Sequence, residues 1–340
     1  MVSMLERAGA IAEDVLFPAA LRVDAGGVIP RSHFDLLAEE GFYGLAGRSE
    51  HSGIEVDFPS FVSILETLCG GCLATTFTWK QHHSVVRGLT GTQNADLQEK
   101  YLGAAIRGEV RGGLALAGAI PQPPRLWATV ADGGWLLNGE APFVSGWGII
   151  DVLLIAARDR AGGSQGTIVS GLVDAVAGAG ITIEELRLIA AQGSNTVQLR
   201  LEDYFLPAER VLAEVSHTDF LANQHIGARL NGCLATGVAG RCIRMIGEAG
   251  QLEVAARLHL AQDVIRDRLD AGLADPLAMP AARAAASELA YRAAGALVTA
   301  VGSSGILQRQ HAQRLVREAT FTLVAAGRPE VKNALLHLFG

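Results

Sequence analysis

Apolar positions recur at intervals of three and four through the first 112 residues, in LERAGAIAEDVLFPAAL, RSHFDLLAEEGFYGL, FPSFVSILETLCGG and NADLQEKYLGAAIRG. That period predicts several short, packed helices. Ser32 after Pro30 and Asn94 ahead of ADLQEKYL suit helix N-caps, while Gly41 and Gly103 suit helix ends or close contacts. At Arg111-Gly112-Gly113 the pattern changes. The next hundred residues carry short β-type runs, among them GLALAGA, WATVADGGWLLNGEAPFVSG, DVLLIAARD, GTIVSGLVD and NTVQLRLEDYFLP. Turn signals at Asp132-Gly133-Gly134, Asn138-Gly139 and Ala161-Gly162-Gly163-Ser164 punctuate them at hairpin spacing. Over 196–202, alternation puts Val197, Leu199 and Leu201 on one face and Gln198, Arg200 and Glu202 on the other, so one side of that strand is wet. After Ser216 the helical period returns at 220–257, 258–273, 280–301 and 311–326, with breaks short enough to make antiparallel neighbours. The expected class is α+β: an N-terminal helical domain over 1–112, a central antiparallel β-sandwich or barrel over 113–215, and a C-terminal four-helix bundle over 216–340.

Composition narrows what such a chain can do. With 340 residues, 49% of them hydrophobic and a mean hydropathy of +0.27, the chain can bury more than one core and is not disordered. A formal charge of −7 and no Lys/Arg cluster interleaved with aromatics argue against nucleic acid as a partner. Cys69, Cys72, Cys233 and Cys242 include one C-x-x-C but no second pair at zinc spacing, so no metal site is expected and the thiols read as buried and reduced. The N-terminal residues lack the charged start and apolar run of a signal peptide, and the most apolar late stretch, 293–307, is too short and Gly/Ser-rich to span a bilayer. A cytoplasmic protein without a membrane partner is the expectation. Ala and Gly in SELAYRAAGALVTAVGSSG permit close helix approach, suited to a subunit contact.

Four local patterns in this order resemble the acyl-CoA dehydrogenase family, flavoproteins that oxidise an acyl thioester between Cα and Cβ. Asn138-Gly139-Glu140-Ala141-Pro142-Phe143-Val144-Ser145-Gly146 looks like the family's N-G-x-K-x-W-I-T-N, followed by the expected strand at 151–158. Leu201-Glu202-Asp203-Tyr204-Phe205-Leu206-Pro207 and the residues through Leu212 are similar to F-x-D-V-x-V-P-x-x-x-V-L. Val301-Gly302-Ser303-Ser304-Gly305 matches F-G-G-x-G, and Arg314-Leu315-Val316-Arg317-Glu318-Ala319 matches K/R-L-x-R-D-A. Each motif is weak alone; their order and spacing over nearly the whole chain carry the resemblance.

The resemblance implies an FAD-dependent oxidoreductase acting on an acyl-CoA or other acyl thioester, assembled as a homodimer or homotetramer. It places Phe143, Val144 and Ser145 over the flavin, with the Ser145 hydroxyl in the role of the family threonine at N5. Leu116 and Ala117 stand where the family has Y-x-x-T-E-P-x-A-G-S-D, leaving main-chain groups to contact the cofactor there. Gly302, Ser303 and Gly305 would meet the FAD of a neighbouring subunit. Arg229 and Gly327 would border the acyl pocket.

The chain also departs from the family. The catalytic carboxylate of I-Y-E-G-T is replaced by Ala326 in Val324-Ala325-Ala326-Gly327-Arg328, and the family's other location for it is Ala228. Removing a proton from Cα requires a base within hydrogen-bond reach. Glu330, His225 and the His82-His83 pair are the candidate substitutes. The R-x-x-F-G segment that holds the FAD pyrophosphate is absent after Met245, and His259 and Gln262 match the family's H-Q pair only loosely. Small residues at the base positions widen the pocket for a bulky or branched acyl group, unless Phe321 or Phe339 fills the space. Two other accounts follow from the missing base: a flavin-dependent monooxygenase of this fold, or a non-catalytic or regulatory subunit that retains it.

Overall fold

The computed structural model describes residues 2–162 and 166–340. Its N-terminal part is helical: α1 (Met4–Ala10) and α2 (Phe17–Gly26) joined through a π-helical stretch, then α3 (Arg31–Glu39), α4 (Phe58–Gly71), α5 (Leu73–Gly91) and α6 (Ala95–Ile106). Asn94 caps α6 as expected, its side chain accepting from the Leu97 amide at 3.1 Å. Ser32 is not a cap, because α3 already begins at Arg31 behind Pro30. Gly41, at φ 81°, follows the end of α3, whereas Gly103 lies inside α6.

Among the described residues eight strands follow: β1 (Gly112–Ala115), β2 (Leu126–Ala131), β3 (Gly134–Val144), β4 (Val152–Asp159), β5 (Thr167–Asp174), β6 (Ile181–Glu185), β7 (Val197–Pro207) and β8 (Val211–Ser216). They form one sheet in the order β6-β7-β3-β2-β4-β5-β8, with β1 beside β4. Most pairings are antiparallel, as expected, but β1 and β2 both run parallel to β4, which makes the sheet mixed. The first hairpin turn sits at Asp132 and Gly133. Asn138-Gly139, read as a turn, lies inside β3 at a register shift. There Asn138 exchanges hydrogen bonds of 3.0 and 2.9 Å with Asp203, a left-handed residue of β7, so the two irregularities lock each other. Gly163 and Ser164 of the third turn signal lie outside the described residues. Val197, Leu199 and Leu201 are buried while Arg200 and Glu202 are exposed, as alternation demands.

The C-terminal part comprises α7 (His217–Ala222), α8 (Gln224–Glu248), α9 (Leu252–Ala274), α10 (Met279–Val301), α11 (His311–Val324) and α12 (Pro329–Phe339). The α8–α9 break falls at residues 249–251, eight residues before the sequence suggested. Gly250 takes φ 83° and ends α8, although the apolar period runs on across the turn. α8 packs against α4, α9 and α10, so bundle and N-terminal helices share one core. Gly237 permits the α4 contact: a Cβ there would stand 2.6 Å from the Glu66 carbonyl. The sheet has its own core and leans on α5 through β1. Arg317 ties all three parts together, pairing with both Asp24 oxygens at 2.8 and 2.5 Å and donating to the Ile189 carbonyl at 2.9 Å. All four cysteines are buried and free. Among the described residues no helix is long and apolar enough to cross a membrane, and no His/Cys/Asp/Glu group could hold a metal ion.

Candidate active site

β3 ends in a twist that divides its last residues between solvent and core. Phe143 has φ 55°, a left-handed backbone rarely adopted by an aromatic residue, and its ring is 66% exposed. Val144 and Ser145 turn inward and are buried. The Ser145 hydroxyl lies 2.6 Å from Thr196 Oγ1, which lies 2.8 Å from Ser194 Oγ, a buried relay of three hydroxyls. Phe143 is thus the residue that faces outward, and the structure gives the Ser145 hydroxyl to Thr196.

Leu116 and Ala117 open the loop after β1. Leu116 packs with Ala119, Ala156, Ile168 and Phe220, while Ala117 is exposed. Gly118 is needed for close approach: a Cβ would lie 2.3 Å from the Glu140 carbonyl. Arg158 fastens the loop from below, donating to the Ala119 carbonyl at 2.6 Å.

Gly302, Ser303 and Gly305 form a 3-10 turn at the C-terminal end of α10. Gly302 has φ 77° and open space around it, Ser303 is exposed, and Gly305 is buried. Gly327 lies at the opposite end of the bundle, in the α11–α12 turn beside Ala326 at φ 50°. Arg283 on α10 donates to the Thr322 carbonyl near that turn at 3.0 Å, and the 19 residues from Arg283 to Gly302 measure about 28 Å at 1.5 Å per residue. One chain therefore keeps its Gly302 turn and its Ala326 turn well apart.

Arg229, expected beside the acyl pocket, is buried among carboxylates. Its Nε donates to Asp270 at 2.6 Å, and Nη1 stands 3.9 Å from Glu66, which also receives Arg266 at 2.8 Å. The guanidinium joins α8 to α4 and α9. Ala228, one residue earlier, is only partly buried.

The proposed substitute bases are scattered. Glu330 is exposed on the first turn of α12, 3.6 Å from Arg328. His225 lies in the first turn of α8, its Nδ1 2.9 Å from the Ala222 carbonyl. His82 and His83 are interior. His82 Nδ1 accepts from the Gly112 amide at 3.0 Å, and His83 stacks on Phe61 and against Trp79. Burial pushes His82 down to about 3 and His83 well below the ordinary range, so both stay neutral supports of α5. Gln262 is buried, donating to the Thr236 carbonyl at 2.6 Å, while His259 is exposed near Asp263.

α5, α8 and α11 meet in a seam of partly buried side chains. Phe77 and Lys80 of α5, Ala228 and Asn231 of α8, and Phe321 of α11 are all partly buried along it, and Ala325 and Ala326 stand at its rim. Phe321 meets Phe77 edge-on at 5.0 Å, whereas Phe339 packs elsewhere, against Tyr291. Lys80 donates to Asn231 Oδ1 at 2.6 Å. The sequence reading missed Lys80 and Arg283, and the available signal was a lone cation in each of two largely uncharged helical runs, TFTWKQHH and PAARAAAS.

The order of parts, the exposed aromatic at the end of β3 and the alanine-lined turn over the bundle can now be set beside known proteins. Profiles described as "Acyl-CoA dehydrogenase, N-terminal domain" and "Acyl-CoA dehydrogenase, C-terminal domain" match residues 2–109 and 233–337. The chain belongs to the acyl-CoA dehydrogenase family. Membership makes it an FAD-dependent oxidoreductase of acyl-CoA dehydrogenase type. Mitochondrial isovaleryl-CoA dehydrogenase of Arabidopsis thaliana is 24% identical over 366 residues, spanning 97% of this chain and 88% of that protein. Among solved structures, the glutaryl-CoA complex of glutaryl-coenzyme A dehydrogenase superposes with a TM-score of 0.87 at 18% identity, covering 98% of this chain and 93% of that one. An FAD complex of PigA gives 0.84 at 18% identity, covering 99% and 96%. These likenesses establish the fold.

Proposed function

We propose that this chain oxidises an acyl-CoA at a site between the end of β3 and the α5–α8–α11 seam, holding FAD with fewer side chains than its relatives use. The observation that carries the reading is Phe143: a large ring held in solvent on a left-handed residue is costly unless a planar partner covers it. Val144 and Ser145 would border the ring, Leu116 and Ala117 its edge through main-chain groups, and Gly302, Ser303 and Gly305 a neighbouring subunit's cofactor. Bound FAD supplies the two-electron acceptor for acyl oxidation. Phe143 shields the reacting face from water. Arg229 acts by holding α8 in place, and Gly327 lets the chain turn beside the acyl group. Glu330 and His225 remain the proposed proton acceptors, each at the start of a helix bordering the 325–328 turn or the α8 entrance.

The double variant Phe143→Ala, Ser145→Ala should lose most bound flavin while keeping its thermal midpoint within a few degrees. Visible absorbance of the purified protein before and after adding FAD checks this. Unchanged flavin content would refute the placement of the ring.

Self-association belongs to the same proposal. Ile306 beside the Gly302 turn and Leu252, Leu260 and Val264 along α9 are exposed apolar side chains that a subunit contact would cover. Light scattering after size exclusion should give a dimer or tetramer, and Ile306→Glu with Leu260→Glu should shift it towards monomer and lower flavin content together.

A further inference from the structure

Arg283 is a buried cation and Lys80 a partly buried one, and neither has a carboxylate beside it. Among the described residues neither enters an ion pair: Lys80 has Asn231 Oδ1, and Arg283 has Ser287 Oγ and the Thr322 carbonyl, all neutral. They lie within electrostatic reach of one another. Cys233, an acidic group that acts electrostatically on both, cannot compensate, because burial pushes its thiol up to about 12 and keeps it protonated. The other carboxylates of this core are already taken: Glu66 and Asp270 by Arg229 and Arg266, Glu318 by Arg314. Positive charge enclosed in this way is expensive and calls for an anion. Burial accordingly pulls the Lys80 amine down to about 8, with Arg283 adding to the effect, yet leaves it largely protonated at neutral pH.

The position of this charge relates it to the acyl site. Asn231 is three residues beyond Ala228 on α8, hence one turn deeper on the same face. Phe77, three residues before Lys80 on α5, meets edge-on Phe321 of α11, which lies four residues before Ala325. From this juxtaposition we infer that Lys80 is a specificity residue, which receives a carboxylate at the far end of the acyl chain while Arg283 adds long-range positive potential. The substrate class is then an ω-carboxyacyl thioester. The inference rests on the acyl-CoA reading above and deepens it.

Calorimetric titration of the FAD-loaded protein with hexanoyl-CoA and with adipyl-CoA, its ω-carboxy counterpart, tests the assignment. A charge-assisted contact should favour adipyl-CoA about 30-fold. Lys80→Met should reduce that preference to near unity, leave hexanoyl-CoA binding within about threefold, and raise the ligand-free thermal midpoint because an uncompensated cation is gone. Lys80→Arg should keep most of the preference. Equal affinities in the unaltered protein, a comparison that requires no variant, would overturn the assignment while leaving acyl-CoA binding intact, as would a preference that survives Lys80→Met. Failure of both esters to bind would remove the acyl-CoA reading and this inference together.

Discussion

Placing glutamate at position 326 is expected to raise the rate at which an acyl-CoA bleaches the bound flavin by about a hundredfold or more, the usual worth of a positioned general base. Ala326 already holds the left-handed backbone of the turn at φ 50°, so Ala326→Glu adds a carboxylate without asking the chain for a new and equally strained conformation. The side chain emerges at the rim of the seam, where the turn itself offers no proton acceptor: Val324 and Ala325 are apolar, Gly327 has no side chain, and Arg328 is a cation 3.6 Å from Glu330, one of the two proposed acceptors. Anaerobic mixing with acyl-CoA, followed by visible absorbance, measures the rate. Glu330→Gln and His225→Gln should be run beside it, since a large loss in either would identify the group that substitutes for the missing carboxylate. No gain from Ala326→Glu, with both other variants unaffected, would show that the turn does not border the reacting carbon.

Arg229→Ala should cost roughly 3 kcal/mol of stability, near the lower end of what is lost when one member of a buried ion pair is removed. The guanidinium is 1% exposed and joins three helices through Glu66 and Asp270. Removing it leaves Glu66 in the core with only Arg266 as partner and opens a hole between α4, α8 and α9. Asp270 is largely exposed, so its share is discounted for solvent screening. Urea unfolding followed by far-ultraviolet dichroism provides the number. Combining Arg229→Ala with Glu66→Gln should recover part of the loss, because the desolvated charge goes too; a single-variant loss below about 1 kcal/mol would mean that Arg229 is held for substrate and not for the bundle.

Local chemistry made much of the fold readable. The three- and four-residue period marks the helices because each buries one stripe, and alternation at 196–202 marks β7 because one sheet face is packed and the other wet. Asn94 declared a helix start through its own hydrogen bond. Asn138-Gly139 misled for an equally physical reason: the conformational freedom that suits a turn also suits an irregularity in a strand, and only the presence of Asp203 across β7 decides between them. The end of α8 was displaced because apolar spacing does not register a single left-handed glycine.

The sequence by itself determined the order of helical, sheet and bundle parts, the family, and that positions 228 and 326 carry alanine, since these depend on residue type and neighbours along the chain. Tertiary structure alone decided that β1 and β2 run parallel to β4, that Arg229 faces carboxylates, that His82 and His83 are neutral supports, and that Lys80 and Arg283 find only neutral hydrogen-bond partners. The reason is that charge compensation and desolvation are set by groups brought together from distant parts of the chain, and no local pattern records which carboxylate, if any, arrives beside a given cation.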